Sequence, residues 1–136
     1  MYKSVKYLTK IENGIFSTHY FYEPVNQTIF PLDTLPTNSN VPEDIKRIIE
    51  TLESNLFGIK ISHFEGSKYY TYLSIAKQKE MVDVLIEPSI ACELAKGKEI
   101  LIYVEEHILK NDGIKVTKKL IEKALTGEFI SHQSFR

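Results

Sequence analysis

The chain predicts an α+β fold: an antiparallel sheet meander with one crossing helix, followed by C-terminal helices. Three observations carry this. Residues 41–57, VPEDIKRIIETLESNLF, set Ile45, Ile48, Ile49, Leu52 and Leu56 three and four apart, one stripe of a helix. Strand-like runs rich in aromatic and β-branched residues stand on both sides of that stretch. After Pro88 the apolar residues return to a helical period.

Residues 2–11 read as a strand, with Val5, Tyr7 and Leu8 as β-formers. Asn13-Gly14 follows, a hairpin signal because both residues tolerate the positive φ of a type I′ turn. Residues 15–22 form the returning strand. Pro24-Val25-Asn26-Gln27 reads as a second turn, and residues 28–30 as a short third strand before Pro31. Residues 32–40, with Pro36 and a polar run, form the loop that delivers the chain to the helix. Pro42 suits a first helical turn, Asn40 or Ser39 can cap it, and Glu43 and Asp44 favour the positive end of the helix dipole. Gly58 supplies the left-handed residue that ends a helix.

Beyond it, Ile59, Ile61 and His63 alternate with Lys60, Ser62 and Phe64. Glu65-Gly66-Ser67 reads as a turn and residues 68–75, KYYTYLSI, as the second arm of a hairpin. Residues 77–80 connect it to a further strand at 81–86. Ile90, Leu94, Leu101, Val104 and Ile108 then fit one helix over residues 89–110. Gly97 offers a break that leaves residues 99–104, EILIYV, as a strand; the spacing favours the helix. Asn111-Asp112-Gly113 is a stop signal. Thr117 can cap a final helix with Leu120, Ile121, Ala124 and Leu125 inside, ending at Gly127. Residues 128–136 form a tail with room for a short strand.

A length of 136 residues, 43% hydrophobic and 26% charged, suits a single domain over residues 1–136. The net charge of −1 and pI near 6.4 give no bulk positive charge, so direct nucleic-acid binding is not expected. One cysteine, Cys92, rules out an internal disulfide and reads as a small buried hydrophobe in a reducing compartment. No apolar run reaches the ~18 residues of a membrane span. Residues 1–10 lead into no apolar signal core, so a cytoplasmic protein is expected, without membrane partners.

Chemistry-bearing residues are scattered. His19, His63, His107 and His132 include no HExxH pair, and one cysteine makes no CxxC, so neither metal nor cofactor is expected. His63, on the Ile59/Ile61 face, reads as a hydrogen-bonded core histidine. Glu105, Glu106 and His107 are adjacent, and on a helix neighbours diverge by about 100°. No catalytic set is therefore assigned. Tyr70 and Tyr72 share one strand face with Lys68, while Tyr69 shares the other with Leu73. Tyrosine buries large area at low entropic cost, which makes Tyr70 and Tyr72 candidate partner contacts. Residues 80–106 hold seven acidic residues against two basic, and residues 110–123 five lysines against two acidic. This reads first as two solvated helices that pair with each other; the sharper alternative is an acidic ridge that meets a basic groove on a partner, by which Glu105 and Glu106 join the candidate contacts.

Lys3-Ser4-Val5-Lys6-Tyr7, Gly14, Val25-Asn26 and Phe30-Pro31 make the first quarter resemble small staphylococcal anti-CRISPR proteins that inhibit Cas9. That resemblance implies a non-enzymatic phage or mobile-element protein that binds a host defence enzyme, Cas9 with or without guide RNA, in the bacterial cytoplasm. Gly97-Lys98-Glu99 with residues 100–102, then Gly113, Thr117, Ile121 and residues 127–130, is similar to the C-terminal part of viral ring nucleases. These cleave cyclic oligoadenylate with a histidine that follows glycine; here Ser62 precedes His63. This second likeness implies a strand over residues 99–104. A generic protein-interaction module is the third expectation.

Overall fold

The structure, a computed structural model, describes residues 1–36, 40–65, 68–97 and 100–116, together with residue 119. The class is α+β, with strands dominating. The first half runs β1 (Tyr2–Asn13), β2 (Phe16–Glu23), β3 (Thr28–Thr34), α1 (Val41–Thr51) and β4 (Asn55–Glu65). The second runs β5 (Lys68–Lys77), β6 (Glu80–Ile86), α2 (Pro88–Ala95), β7 (Leu101–Glu105), α3 (Glu106–Asp112) and β8 (Ile114–Lys115). These strands form one sheet in the order β6-β5-β4-β7-β1-β2-β3-β8. It consists of two three-stranded antiparallel meanders joined through β7, which is antiparallel to β1 and parallel to β4.

The first hairpin closes one residue later than its Asn-Gly signal suggests. Asn13 pairs with Phe16, so Gly14 and Ile15 form the loop. Of these two only Gly14 has positive φ, +68°, the pattern of a type II′ turn. The buried Glu23 carboxylate accepts the backbone N–H groups of Val25 and Asn26 and so fixes the next turn. β3 runs past the expected residues 28–30, through Pro31 to Thr34. Among the described residues β8 pairs only with Thr28 and Ile29, so Pro31 lies beyond that pairing, where its missing N–H breaks no described ladder bond to β8.

Residues 41–57 do not form one helix. α1 stops at Thr51, and Glu53 takes the left-handed conformation at φ 56°. The Ser54 N–H reaches the Ile49 carbonyl at 3.0 Å and the Glu53 N–H reaches Glu50 at 2.9 Å, the paired bonds that close a helix end. Leu56 matches the helical stripe only by coincidence of spacing, since it packs from β4 opposite Ile75. Ile49 is buried and Ile45 reaches the core, while Ile48 and Leu52 are exposed. Asn40 occupies the N-cap without a side-chain cap bond, and Ser39 lies outside the described residues.

The single helix expected over residues 89–110 is likewise replaced. α2 ends at Ala95, β7 occupies Leu101–Glu105, and a new helix begins at Glu106. Ile102 and Val104 are buried while Leu101 is exposed, the period of two that a strand requires. Ile90, Leu94 and Ile108 keep helical company within two separate helices. β7 overlaps the strand over residues 99–104 that the second likeness implied, of which residue 99 lies outside the described residues. The β4–β5 hairpin and β6 stand where expected, with Gln78 and Lys79 between β5 and β6. The expected final helix and tail lie outside the described residues except for residue 119.

α1, α2 and α3 all pack on one face. Val5, Phe21, Phe30, Ile59 and Leu73 from the sheet join Leu94 of α2 and Ile108 of α3 in one core cluster. The sheet curls around it. Phe30 on β3 and Tyr69 on β5 meet edge to face at 5.3 Å, although five strand spacings separate β3 from β5. In a flat sheet that separation would be about 24 Å.

Gly58 marks a close approach between two strands. A Cβ there would stand 2.7 Å from the Leu101 carbonyl oxygen, a backbone atom of the parallel partner β7. Gly58→Ala is expected to lower stability by about 1–3 kcal/mol, read as a reduced denaturant midpoint. An unchanged midpoint would mean that β4 and β7 are not held this closely.

Candidate protein-interaction surface

The face opposite the helices is built by strand alternation. From β6 to β1, Leu85, Tyr72, Lys60, Tyr103 and Ser4 form one row. In the row beside it Tyr70 stands opposite Ser62 and Tyr2 opposite Glu105. Further along, Lys6 stands opposite Tyr22 and Thr9 opposite Tyr20. Six of the eight tyrosines, Tyr2, Tyr20, Tyr22, Tyr70, Tyr72 and Tyr103, therefore share this face. Tyr7 and Tyr69 point inward, against Phe21 and Phe30 respectively. No described helix covers the tyrosine face, since α1, α2 and α3 contribute to the core on the other side.

Polar groups hold the rows in place. The Tyr2 hydroxyl donates to Ser62 Oγ at 3.0 Å, and Ser62 donates to Glu105. The second Glu105 oxygen lies 2.9 Å from His107 Nδ1. Lys60 Nζ bonds Asp83 at 2.9 Å and sits 5.5 Å from the centre of the Tyr2 ring. The Asp83 partnership raises the Lys60 pKa, and Lys60, with Ser74, lowers that of Asp83. The patch is thus aromatic, with Lys60 and Asp83 neutralising each other within it.

Ser62, Glu105 and His107 contain the residue types of a hydrolase relay in the wrong order. Nucleophilic serine needs an imidazole that takes its proton, with the carboxylate behind. Here the carboxylate stands between serine and histidine and accepts the hydrogen bond of the serine hydroxyl directly. The arrangement orients side chains on the surface and does not activate Ser62.

Of the residues singled out from sequence, Tyr70, Tyr72 and Glu105 come together on this face. Glu106 does not join them: it opens α3, with its carboxylate 3.5 Å from Lys110 and its N–H on the Met1 carbonyl at 2.8 Å. The described acidic residues of the run are spread over different elements, and Glu99 lies outside the described residues. Asp83 meets Lys60, Glu93 meets Lys10 and Lys96, and Glu106 meets Lys110, on different elements. Tyr2, Tyr20, Tyr22, Tyr103 and Lys60 were missed. The spacing of two in Tyr20/Tyr22 and Tyr2/Ser4/Lys6 carried the signal, and Tyr103 became visible only once residues 101–105 were a strand.

A register shift between Ser62 and Phe64 puts His63 at a break in β4, so simple alternation with Ile59 and Ile61 does not extend through it. His132 lies outside the described residues. Among the described residues no group of histidine, cysteine, aspartate or glutamate is arranged to hold a metal, and no helix is long and apolar enough to cross a membrane. Cys92 is buried in α2, and burial raises its thiol pKa. The chain matches no protein-family model and no curated protein.

His19 faces the core, 1% exposed, between Tyr7 Oη at 2.9 Å and Thr34 Oγ1 at 3.1 Å. Burial lowers its pKa from 6.5 to about 4. Above the unfolded value the two states carry the same proton count, and the neutral core histidine costs nothing. As pH falls from about 6.5 toward 4, the unfolded chain gains a proton that the fold refuses. Stability should drop across that window, by up to roughly 3 kcal/mol. Urea melts at pH 7 and pH 5 check this, with His19→Gln expected to flatten the dependence. Equal slopes in both proteins would place the acid sensitivity elsewhere.

Proposed function

We propose that this chain is a non-enzymatic protein inhibitor from a phage or mobile element, acting in the host bacterial cytoplasm on the type II CRISPR nuclease Cas9. The observation that carries the binding reading is the open, tyrosine-rich sheet face. Tyrosine offers rigid area together with a hydroxyl that remains useful at a partly wet surface, which is why it concentrates in binding sites. Tyr72 and Tyr103 flank Lys60 in the central row, with Tyr70 and Glu105 in the next. The target rests on the likeness of Lys3-Ser4-Val5-Lys6-Tyr7 and the turn residues that follow to Cas9 inhibitors. Such a protein works by occupying a surface that the nuclease needs for guide RNA, target DNA or domain movement.

Mixing the protein with Cas9, with and without guide RNA, should give co-elution on gel filtration and loss of DNA cleavage. The double variant Tyr72→Ala/Tyr103→Ala should weaken binding about tenfold or more, as for central aromatic contacts. Undiminished cleavage without a complex would remove Cas9 as the target. A complex that the variant leaves intact would remove this face as the contact.

A further inference from the structure

The sheet has two unlike edges. At one, the two-residue β8 and Pro31 blunt β3. At the other, β6 pairs on one side with β5 and, among the described residues, with nothing on its outer side. A free edge is a row of backbone donors and acceptors ready for another strand, and monomeric proteins guard it with lysine, proline or inward-pointing charge. β6, EMVDVLI, has no lysine and no proline. Its Asp83 is drawn onto the tyrosine face by Lys60 and Ser74, at 2.9 and 2.8 Å. Met81, Val82, Val84 and Leu85 are 50%, 53%, 42% and 60% exposed.

We infer that β6 is a dimerisation strand, pairing antiparallel with β6 of a second copy about a two-fold axis at Val84. The strand's own pattern selects the second copy as occupant. Pairing with β5 puts Val82, Val84 and Ile86 on the core face and Met81, Asp83 and Leu85 on the tyrosine face. A two-fold axis normal to the sheet keeps these faces distinct. Centred on Val84, it sets Val84 against Val84 and Val82 against Ile86, a β-branched ladder of the kind that stabilises paired strands. It also sets Asp83 against Leu85 and Met81 against Glu87. Centring on Asp83 would oppose two aspartates, and centring on Leu85 would oppose Asp83 to Glu87. Centring on Val82 also avoids like charges but sets Val84 against Glu80 and Met81 against Asp83, which leaves one β-branched pair. The Val84 register combines the β-branched ladder with no like-charge pair. Both sheets then continue through the axis, and the tyrosine faces of the two copies lie on the same side.

Sedimentation equilibrium over a dilution series should give twice the 15.7 kDa chain mass, falling toward one chain on dilution. Val84→Lys places two ammonium groups on the axis and should yield a monomer with unchanged circular dichroism, because Val84 is already part-exposed. Val84→Cys should form an intermolecular disulfide on oxidation, whereas Val82→Cys, opposite Ile86, should not. The buried Cys92 does not compete. A wild-type chain that is monomeric at every concentration would overturn the inference. So would a Val84→Lys dimer, or Val82→Cys crosslinking as readily as Val84→Cys. Capture of a foreign strand by a wild-type monomer would assign the edge to a different partner.

Discussion

The insertion of β7 between β4 and β1 is the pairing on which the rest of the molecule depends. Without it there are two separate meanders, each with one apolar face and too little partner surface to cover it. β7 closes them into a single sheet by pairing Ile102 with both Val5 and Ile59, all three buried. A strand parallel to β4 cannot be reached by a tight turn, so the chain must cross over the sheet, and α2 makes part of that crossing. Leu94 and its neighbours consequently fill the concave side. The described helices are spent on one face, and none of them covers the other.

Much of this was legible from residue patterns. Local signals placed both hairpins, since Gly14 and the alternation around Ile59 and Ile61 depend on nearest neighbours. β6 and the start of α1 were equally local, with Pro42, Glu43 and Asp44 marking a helix N-terminus. The errors share one cause. Leu56 continues the stripe of α1, and Leu101 and Val104 continue that of α2, by arithmetic that strands and helices can both satisfy over a few residues. What decides each case is tertiary. β7 is a strand because β4 and β1 present backbone groups on both sides of it, which no window of its own sequence reports. Gly58 was misread in the same way: its small size serves the close approach of Leu101, not a helix end.

The surface was legible in part. Tyr70 and Tyr72 announce themselves by lying two apart on an obvious strand. Tyr2, Tyr22 and Tyr103 join them only through pairing of segments distant in the chain, for which sequence order holds no cue. Charge was the poorer guide. The acidic excess over residues 80–106 suggested a ridge, yet β6, α2, β7 and α3 disperse the described groups, and Asp83, Glu93 and Glu106 each meet a lysine. Specific contact through this face would come from aromatic area and its fixed hydroxyls, with little long-range steering.

Hydroxyl-radical footprinting of the protein alone and mixed with Cas9 tests the central claim most directly, because oxidation reports side-chain access residue by residue. Oxidation at Tyr72, Tyr103 and Tyr70 should fall on mixing, while exposed Ile48 and Leu52 of α1, on the helical side, stay reactive. Protection confined to α1, or a pattern unchanged by Cas9, would contradict it.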